Sequence, residues 1–563
     1  MTEPATDEAR LLDTARAVLS TTGGLLDTAA ARLRAACAEG DKVSAARLDA
    51  RQLVSYELAV SWSEATAAGF LLDHAKRLLT DAPDPFVTQL AALFCAETVT
   101  GIAARLRARP SDYGLEPGAI DAAAGSADAM AFIDAQLGAA NIASLGEQVL
   151  ARGADLGSDL LDEDHTMMRD TFRRFADDVV APLAEDIHRR DLDIPDEILE
   201  PLKEMGLFGL SIPESYGGLQ ANDEEDTLGM IVVTEELSRG SLGAAGSLIT
   251  RPEILARALL KGGTEDQKKY WLPRLATGEP LCAVAVTEPD YGSDVAGVRL
   301  KATPVAGGWV LDGAKTWCTF GGRAGVLMVL ARTDTDMSLA HRGLSMFLVE
   351  KPDSAGHSFE VNQDDGGKLS GRAIATLGYR GMHSFELFFD GFFVPQENML
   401  GGADGEGKGF YYAMAGFAGG RIQTAARAVG VMRAAFERAA TYAGERVVFG
   451  RPIGEYQLTR VKLARMAALI LACRQLTYSV ARMMDEGAGD MEASAAKLFA
   501  GRAAEWLTRE ALQIHGGMGY AEEAPVSRYY ADARVLSIFE GAEETLALKV
   551  IARALLENAG EGG

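Results

Sequence analysis

Cysteine is scarce and unpatterned in this chain: five residues, at positions 37, 95, 282, 318 and 473, include no CxxC pair. That excludes a disulfide framework and a cysteine zinc site, and fits a reducing cytoplasm. Seven histidines contain no HExxH pair, so no metal-ligand set is expected. Positive charge is the scarcer sign, with 55 Lys and Arg against 80 Asp and Glu and a net charge of −25. Nucleic acid and anionic membrane surfaces are therefore not expected partners, although a local cationic patch can still meet an anionic substrate. No uninterrupted apolar run reaches the ~18 residues of a membrane span. The acidic start Met1-Thr2-Glu3-Pro4 carries no signal-peptide apolar core. A cytoplasmic protein is expected. With 563 residues, 48% hydrophobic and 24% charged, and a mean hydropathy of +0.02, the chain suits several globular domains.

Four regions follow from the patterning. Residues 1–155 are rich in Ala and Leu, with Leu11, Leu12, Ala15, Val18 and Leu19 at helical spacing. Breakers at Gly23-Gly24, Pro83 to Pro85 and Pro110 to Gly118 punctuate them. This reads as a helical lobe of its own, without chemistry. Residues 156–280 are also helical, with Ile194-Pro195 opening a helix and Met205 to Gly209 closing one. Residues 281–398 change character. Short β-branched or aromatic runs at 281–287, 308–312, 325–331, 343–350 and 384–394 lie between Gly, Asp and Pro, which predicts a small β domain. Across 399–563 the helical period returns, near 410–445, 455–485, 490–515 and 540–556.

Three segments carry chemistry. An apolar run, Val284-Ala285-Val286, stops in a polar turn, Thr287-Glu288-Pro289-Asp290-Tyr291-Gly292-Ser293; Trp317-Cys318-Thr319 follows; Ile538-Phe539-Glu540-Gly541 lies near the C-terminus. In this order they resemble the acyl-CoA dehydrogenases, which are flavin enzymes. The resemblance runs over roughly residues 160 to 555 and implies their α+β, mostly α fold. In that fold an α-helical domain, a small β domain and a C-terminal four-helix bundle follow one another, here with an extra N-terminal helical lobe.

The resemblance implies FAD as cofactor and gives residues their roles. Val284, Val286, Thr287, Gly292 and Ser293 would line the flavin, with Thr287 bonded to its pyrimidine end and Ser293 at the boundary with substrate. Trp317 would cover one side of the ring system and Thr319 would donate near N5. Donors of this kind stabilise the charge that a reduced flavin carries. Arg446, Phe449 and Gln457, in and after Arg446-Val447-Val448-Phe449-Gly450-Arg451-Pro452, resemble the segment that meets the dinucleotide of a neighbouring subunit's flavin. A guanidinium suits a bidentate phosphate contact. Gln513, Gly516 and Gly517 match the other half, where paired glycines let backbone N–H groups approach a phosphate. His515 reads as packing or a hydrogen-bond donor. Glu540 is the candidate base, because removing a proton α to a thioester requires a carboxylate facing that carbon. Gly541 and Arg421 would complete the substrate side. The Thr that the family usually carries two positions after the base is Ala542 here. The Gly402 to Lys408 turn imitates a P-loop, but Gly409 stands in place of its Ser or Thr.

Two features depart from ordinary fatty-acyl members: the N-terminal lobe, and an extra stretch at 362–376. Both resemble the members that act on methylsuccinyl-CoA in the ethylmalonyl-CoA pathway. The resemblance then implies oxidation of a short branched acyl-CoA, (2S)-methylsuccinyl-CoA to mesaconyl-CoA, with electron-transferring flavoprotein as acceptor. Such a pocket must meet a second carboxylate with a cation or donor. Arg239 and Arg251, flanking an expected helix from Gly240 to Thr250, are the candidates in that order. Other short branched acyl-CoAs, of isobutyryl or 2-methylbutyryl type, are the alternative. A nucleic-acid-associated alkylation-response flavoprotein is a remote one, since it needs a basic surface. The cross-subunit flavin segment implies at least a dimer, and a homodimer is expected if the lobe covers the second assembly surface.

Overall fold

Gly23-Gly24 does not interrupt the first helix. Leu19, Leu25, Leu26 and Leu33 are all buried on one stripe, and that packing carries Asp7–Cys37 through both glycines against their modest helix penalty. In the computed structural model, which describes residues 7–559, this helix starts the first of two compact units. The acidic start Met1–Pro4 lies outside the described residues. Of the described residues, those up to Met167 and from Thr424 onward form one unit, and Met168–Gln423 forms the other.

In the first unit the N-terminal helices do not stand apart. Gln52–Asp81, Pro85–Ala108 and Ala139–Ala151 pack on the C-terminal helices Gln457–Asp485 and Asp490–Ile514. The contact is close because both partners are rich in small residues. A Cβ on Gly146 would come within 1.9 Å of the Arg460 carbonyl oxygen. Ala59 and Val60 share one apolar cluster with Ala495, Leu498, Ala547, Ile551 and Ala552. Pro85 opens its helix at a position where no N–H is missed, and Asp84 caps it by accepting from the Phe86 N–H. That helix is long and apolar enough to cross a bilayer, yet 78% of its apolar window is buried inside the unit. All five cysteines are free and buried.

The second unit carries helices up to Ala276 and then an eight-stranded sheet. The strand order is Cys282–Ala285, Val326–Arg332, Lys301–Val305, Gly308–Thr319, Ser384–Pro395, Lys368–Ala373, Ser358–Asn362, with Leu344–Glu350 also paired to Val326–Arg332. Each of the five runs that sequence marks as β contains a strand. Three strands escape sequence reading: Lys301–Val305 is polar and holds Pro304, and the other two form a hairpin. The extra stretch at 362–376 thus supplies one arm of this edge hairpin, with Phe385 to Asp390 pairing against Lys368 to Ala373.

The expected helix from Gly240 to Thr250 is not formed. One helix, Thr227–Gly240, ends there and the next, Thr250–Gly262, begins; turns join them. The glycines explain it. A Cβ on Gly243 would sit 2.2 Å from the Arg380 carbonyl oxygen, and one on Gly246 at 2.2 Å from the Ser238 hydroxyl. The backbone there is pressed against its neighbours in a path no helix follows.

Candidate active site

The strand ending at Ala285 leads into a turn that a buried ion pair fixes. Glu288 is 6% exposed and Lys315 fully buried. The Lys315 ammonium donates to Glu288 at 2.8 Å and to the Val286 carbonyl at 2.8 Å. The backbone N–H groups of Arg299 and Leu300 donate to the same carboxylate. Burial pulls the Lys315 ammonium down to about 8, against the opposing pull of Glu288. Removing either partner of such a pair costs about 3–5 kcal/mol, because the other is left charged and unpaired. Sequence reasoning missed this pair; its one visible signal is a lysine at an inward position of an alternating strand.

The pair brings the Thr287 and Trp317 segments together. The Thr316 N–H donates to the Thr287 carbonyl at 2.9 Å. Trp317 has φ of +56° and the residue is 56% exposed. A large residue in the left-handed region stands under strain of about 1–3 kcal/mol, which the surroundings must impose. Thr319 is buried and its hydroxyl lies 3.0 Å from that of Ser384. Val284 and Thr287 are half-buried, Val286 is buried, and Gly292 and Ser293 are exposed.

Beside Ser384, His383 is buried between two carboxylates, Asp193 at 2.9 Å and Asp191 at 3.2 Å. Burial opposes the charged ring, but the two carboxylates outweigh it and hold His383 above the usual histidine range. Asp191, His357 and His383 offer three metal-type ligand atoms within 4.8 Å of one another. Both His383 ring nitrogens already face carboxylates, and the Arg380 guanidinium lies 3.6 Å from Asp191. The geometry is that of an ion-pair network which holds the backbone next to Ser384.

The two arginine candidates differ sharply. Arg239 is bonded to Asp177 and reaches Glu236 at 3.3 Å, and Arg173 shares Glu236. Arg251 is 6% exposed and donates to the Ser247 carbonyl at 3.3 Å. Among the described residues no carboxylate pairs with it. Its charge is close enough to Cys282 and Cys318 to lower both thiols, against the larger upward effect of burial. Arg421 is half-buried on the helix Gly409–Glu445.

In the other unit, Glu540 is half-buried with φ of +53°, and Gly541 follows at +100°. The helical segment resumes at Glu543, three residues later than the expected start at 540. The buried Lys497 ammonium donates to the Gly541 carbonyl at 2.6 Å. The Arg427 guanidinium lies over the Phe539 ring, 5.1 Å from its centroid.

The same unit holds both expected dinucleotide segments. Val447–Val448 and Arg451–Pro452 form a small hairpin. Its tip, Phe449, is 94% exposed at φ of +51°. Arg446 and Gln457 are exposed beside it, as are Gln513, Gly516 and Gly517. A stack joins the two segments: Tyr442 and His515 have ring centroids 4.4 Å apart at 24°. The His515 ring also bonds the Ala511 carbonyl at 2.8 Å. No atom lies within 4 Å of a Cβ built on Gly516 or Gly517, so that backbone is open to a ligand.

Three domain models match the chain: acyl-CoA dehydrogenase N-terminal domain over residues 162–279, middle domain over 283–392 and C-terminal domain over 407–556. Residues before 162 lie outside these matches. The (2S)-methylsuccinyl-CoA dehydrogenase of Cereibacter sphaeroides is 49% identical over 406 residues, 72% of this chain and 72% of that protein. Among solved structures, butyryl-CoA dehydrogenase from Megasphaera elsdenii is 34% identical with a TM-score of 0.64, over 71% of this chain and all of its own. The structure of a glutaryl-coenzyme A dehydrogenase glutaryl-CoA complex is 31% identical with a TM-score of 0.64, over 70% of this chain and 96% of its own.

Proposed function

We infer that this chain, which belongs to the acyl-CoA dehydrogenase family, oxidises a short branched acyl-CoA bearing a second carboxylate, with (2S)-methylsuccinyl-CoA going to mesaconyl-CoA. The class is that of an FAD-dependent oxidoreductase acting on CH–CH bonds. The observation that carries the substrate is Arg251, a buried guanidinium that meets no carboxylate among the described residues. A buried cation left without an anion is costly, and a substrate carboxylate is the anion that this reading supplies. The 49% identity to a methylsuccinyl-CoA dehydrogenase supports the same choice.

The residues suit FAD. The exposed Trp317 offers a flat apolar face, and the Gly516-Gly517 backbone has open space beside it. When bound, FAD supplies the acceptor for the β hydrogen and its electron pair. Thr287, Thr319 and Trp317 would hold and orient its ring system. Arg446 would meet the pyrophosphate of a flavin held largely by the neighbouring subunit. Glu540 takes the α proton, and Arg251 pairs with the distal carboxylate of the substrate. Arg446→Ala should therefore lower the flavin-to-protein ratio of the purified enzyme, since a phosphate loses a bidentate partner. An unchanged ratio with unchanged thermal stability removes Arg446 from the site.

Electron-transferring flavoprotein serves as acceptor in this reading, in the cytoplasm. The enzyme is a homodimer, since the N-terminal helices already cover the C-terminal helices that could otherwise form a second interface. Light scattering checks it: about twice 59.8 kDa is expected, and about four times 59.8 kDa overturns it. The test of the function is a panel of acyl-CoAs assayed with an artificial electron acceptor. Methylsuccinyl-CoA should be the best substrate; preference for an uncharged branched acyl-CoA overturns the assignment.

A further inference from the structure

We propose that the N-terminal helices position the catalytic Glu540 through a clamp on Glu543, with Tyr56 and Arg502 as positioning residues. The proposal rests on the reading of Glu540 as the base.

The clamp is a closed triangle. The Tyr56 hydroxyl, on the helix Gln52–Asp81, donates to the Glu543 carboxylate. Arg502, on the helix Asp490–Ile514, donates to the same carboxylate at 2.6 Å and to the Tyr56 oxygen at 2.5 Å. The Glu543 side chain is 18% exposed. Burial, then the Glu543 hydrogen bond, pushes the Tyr56 hydroxyl up to about 12, so it remains a donor at working pH. These groups sit 487 and 41 residues from Glu543 in sequence.

Glu543 is the first residue of the helical segment that follows the base. Between them lie Gly541 and Ala542, and both Glu540 and Gly541 have positive φ. Glu540, as a non-glycine residue at positive φ, persists there only where its flanks are held. Lys497 holds one flank by its bond to the Gly541 carbonyl, and the triangle holds the other. Lys497 and Arg502 come from the same helix, so one rigid element fixes both sides of the turn. The N-terminal region adds further ties along the segment. Asp49 pairs with Lys549, and Arg34 donates to the carbonyls of Leu556 at 3.0 Å and Glu557 at 3.1 Å. Ala59 and Val60 pack beneath, against Ala547, Ile551 and Ala552.

The consequence is for chemistry. A base displaced by about 1 Å loses on the order of 10²-fold in rate. The N-terminal helices, which hold none of the reacting groups, would then set the rate of proton removal.

The test uses Tyr56→Phe, which keeps the ring and its packing, in the full-length holoenzyme with the best acyl-CoA of the panel. The expected kcat falls about tenfold or more, while KM and the flavin-to-protein ratio stay near parental. The kinetic isotope effect with α-deuterated substrate should rise, because proton removal becomes slower relative to other steps. Glu543→Ala should lose as much, Glu543→Gln should recover part through its amide oxygen, and Tyr56→Phe with Glu543→Ala should lose no more than Glu543→Ala alone. A Tyr56→Phe enzyme with kcat within twofold of parental overturns the proposal, even if it melts earlier. So does a loss confined to KM, or losses that multiply in the double variant. Glu540→Gln separates the two ideas: if that variant keeps its activity, base and clamp both fall, and if it is dead while Tyr56→Phe is parental, only the clamp falls.

Discussion

Glu540→Gln is expected to keep its FAD and lose dehydrogenation by about 10³-fold or more, at the upper part of what a positioned general base supplies. The substitution is nearly isosteric. The half-buried side chain keeps its volume, the Lys497 bond to the Gly541 carbonyl is untouched, and the turn at positive φ has no new reason to move. What changes is the ability to accept a proton. A neutral amide cannot take the α proton of a thioester, and a loss of 10³ corresponds to about 4 kcal/mol in the barrier. Rapid-mixing assays with an artificial acceptor measure the rate, and the flavin absorbance of the same sample reports retention. Activity within about tenfold of the parent would mean that another group removes the proton. Loss of the flavin together with activity would make the effect one of folding.

The proposed base was named from sequence because its motif is contiguous: Ile538-Phe539-Glu540-Gly541 can be recognised in one glance along the chain. The same holds for Val284 to Ser293 and for Trp317 to Thr319. The long C-terminal helices were legible from their period. What holds these groups in place was not. Glu288 pairs with Lys315, 27 positions away, and one of the two partners of Glu543 named above is Tyr56, at the opposite end of the chain. No spacing rule links such positions; only the packing does. The start of the last helix was misread because Glu540 fits a helical first turn by composition, whereas Gly541 at φ of +100° delays the helix to Glu543. The edge hairpin was missed for a related reason. Lys368 to Ala373 is too polar to read as a strand alone, and its pairing with Phe385 to Asp390 supplies what its own sequence lacks.

The two arginines show the same limit, and the last prediction turns on it. Sequence puts Arg239 ahead of Arg251. The fold adds Asp177, from 62 residues upstream, and Glu236, and these two carboxylates occupy the Arg239 guanidinium. Arg251 is more deeply buried, and among the described residues its hydrogen-bond partner is the Ser247 carbonyl. A guanidinium in that state discriminates strongly: a substrate that brings a carboxylate satisfies it, and one that brings a methyl group leaves it buried and unpaired. Arg251→Met is therefore expected to cut kcat/KM for methylsuccinyl-CoA by about 30-fold to several thousand-fold, the range of about 2–5 kcal/mol for breaking a buried charge pair. For isobutyryl-CoA and 2-methylbutyryl-CoA the same change should be neutral or favourable, since an apolar chain replaces an unpaired cation. The preference for the charged substrate should narrow or invert. Arg239→Met should instead lower thermal stability, by freeing Asp177 and Glu236, and leave the preference in place. If Arg251→Met keeps the parental preference while Arg239→Met abolishes it, the carboxylate is bound at Arg239, whose pairing with Asp177 must then open to admit the substrate.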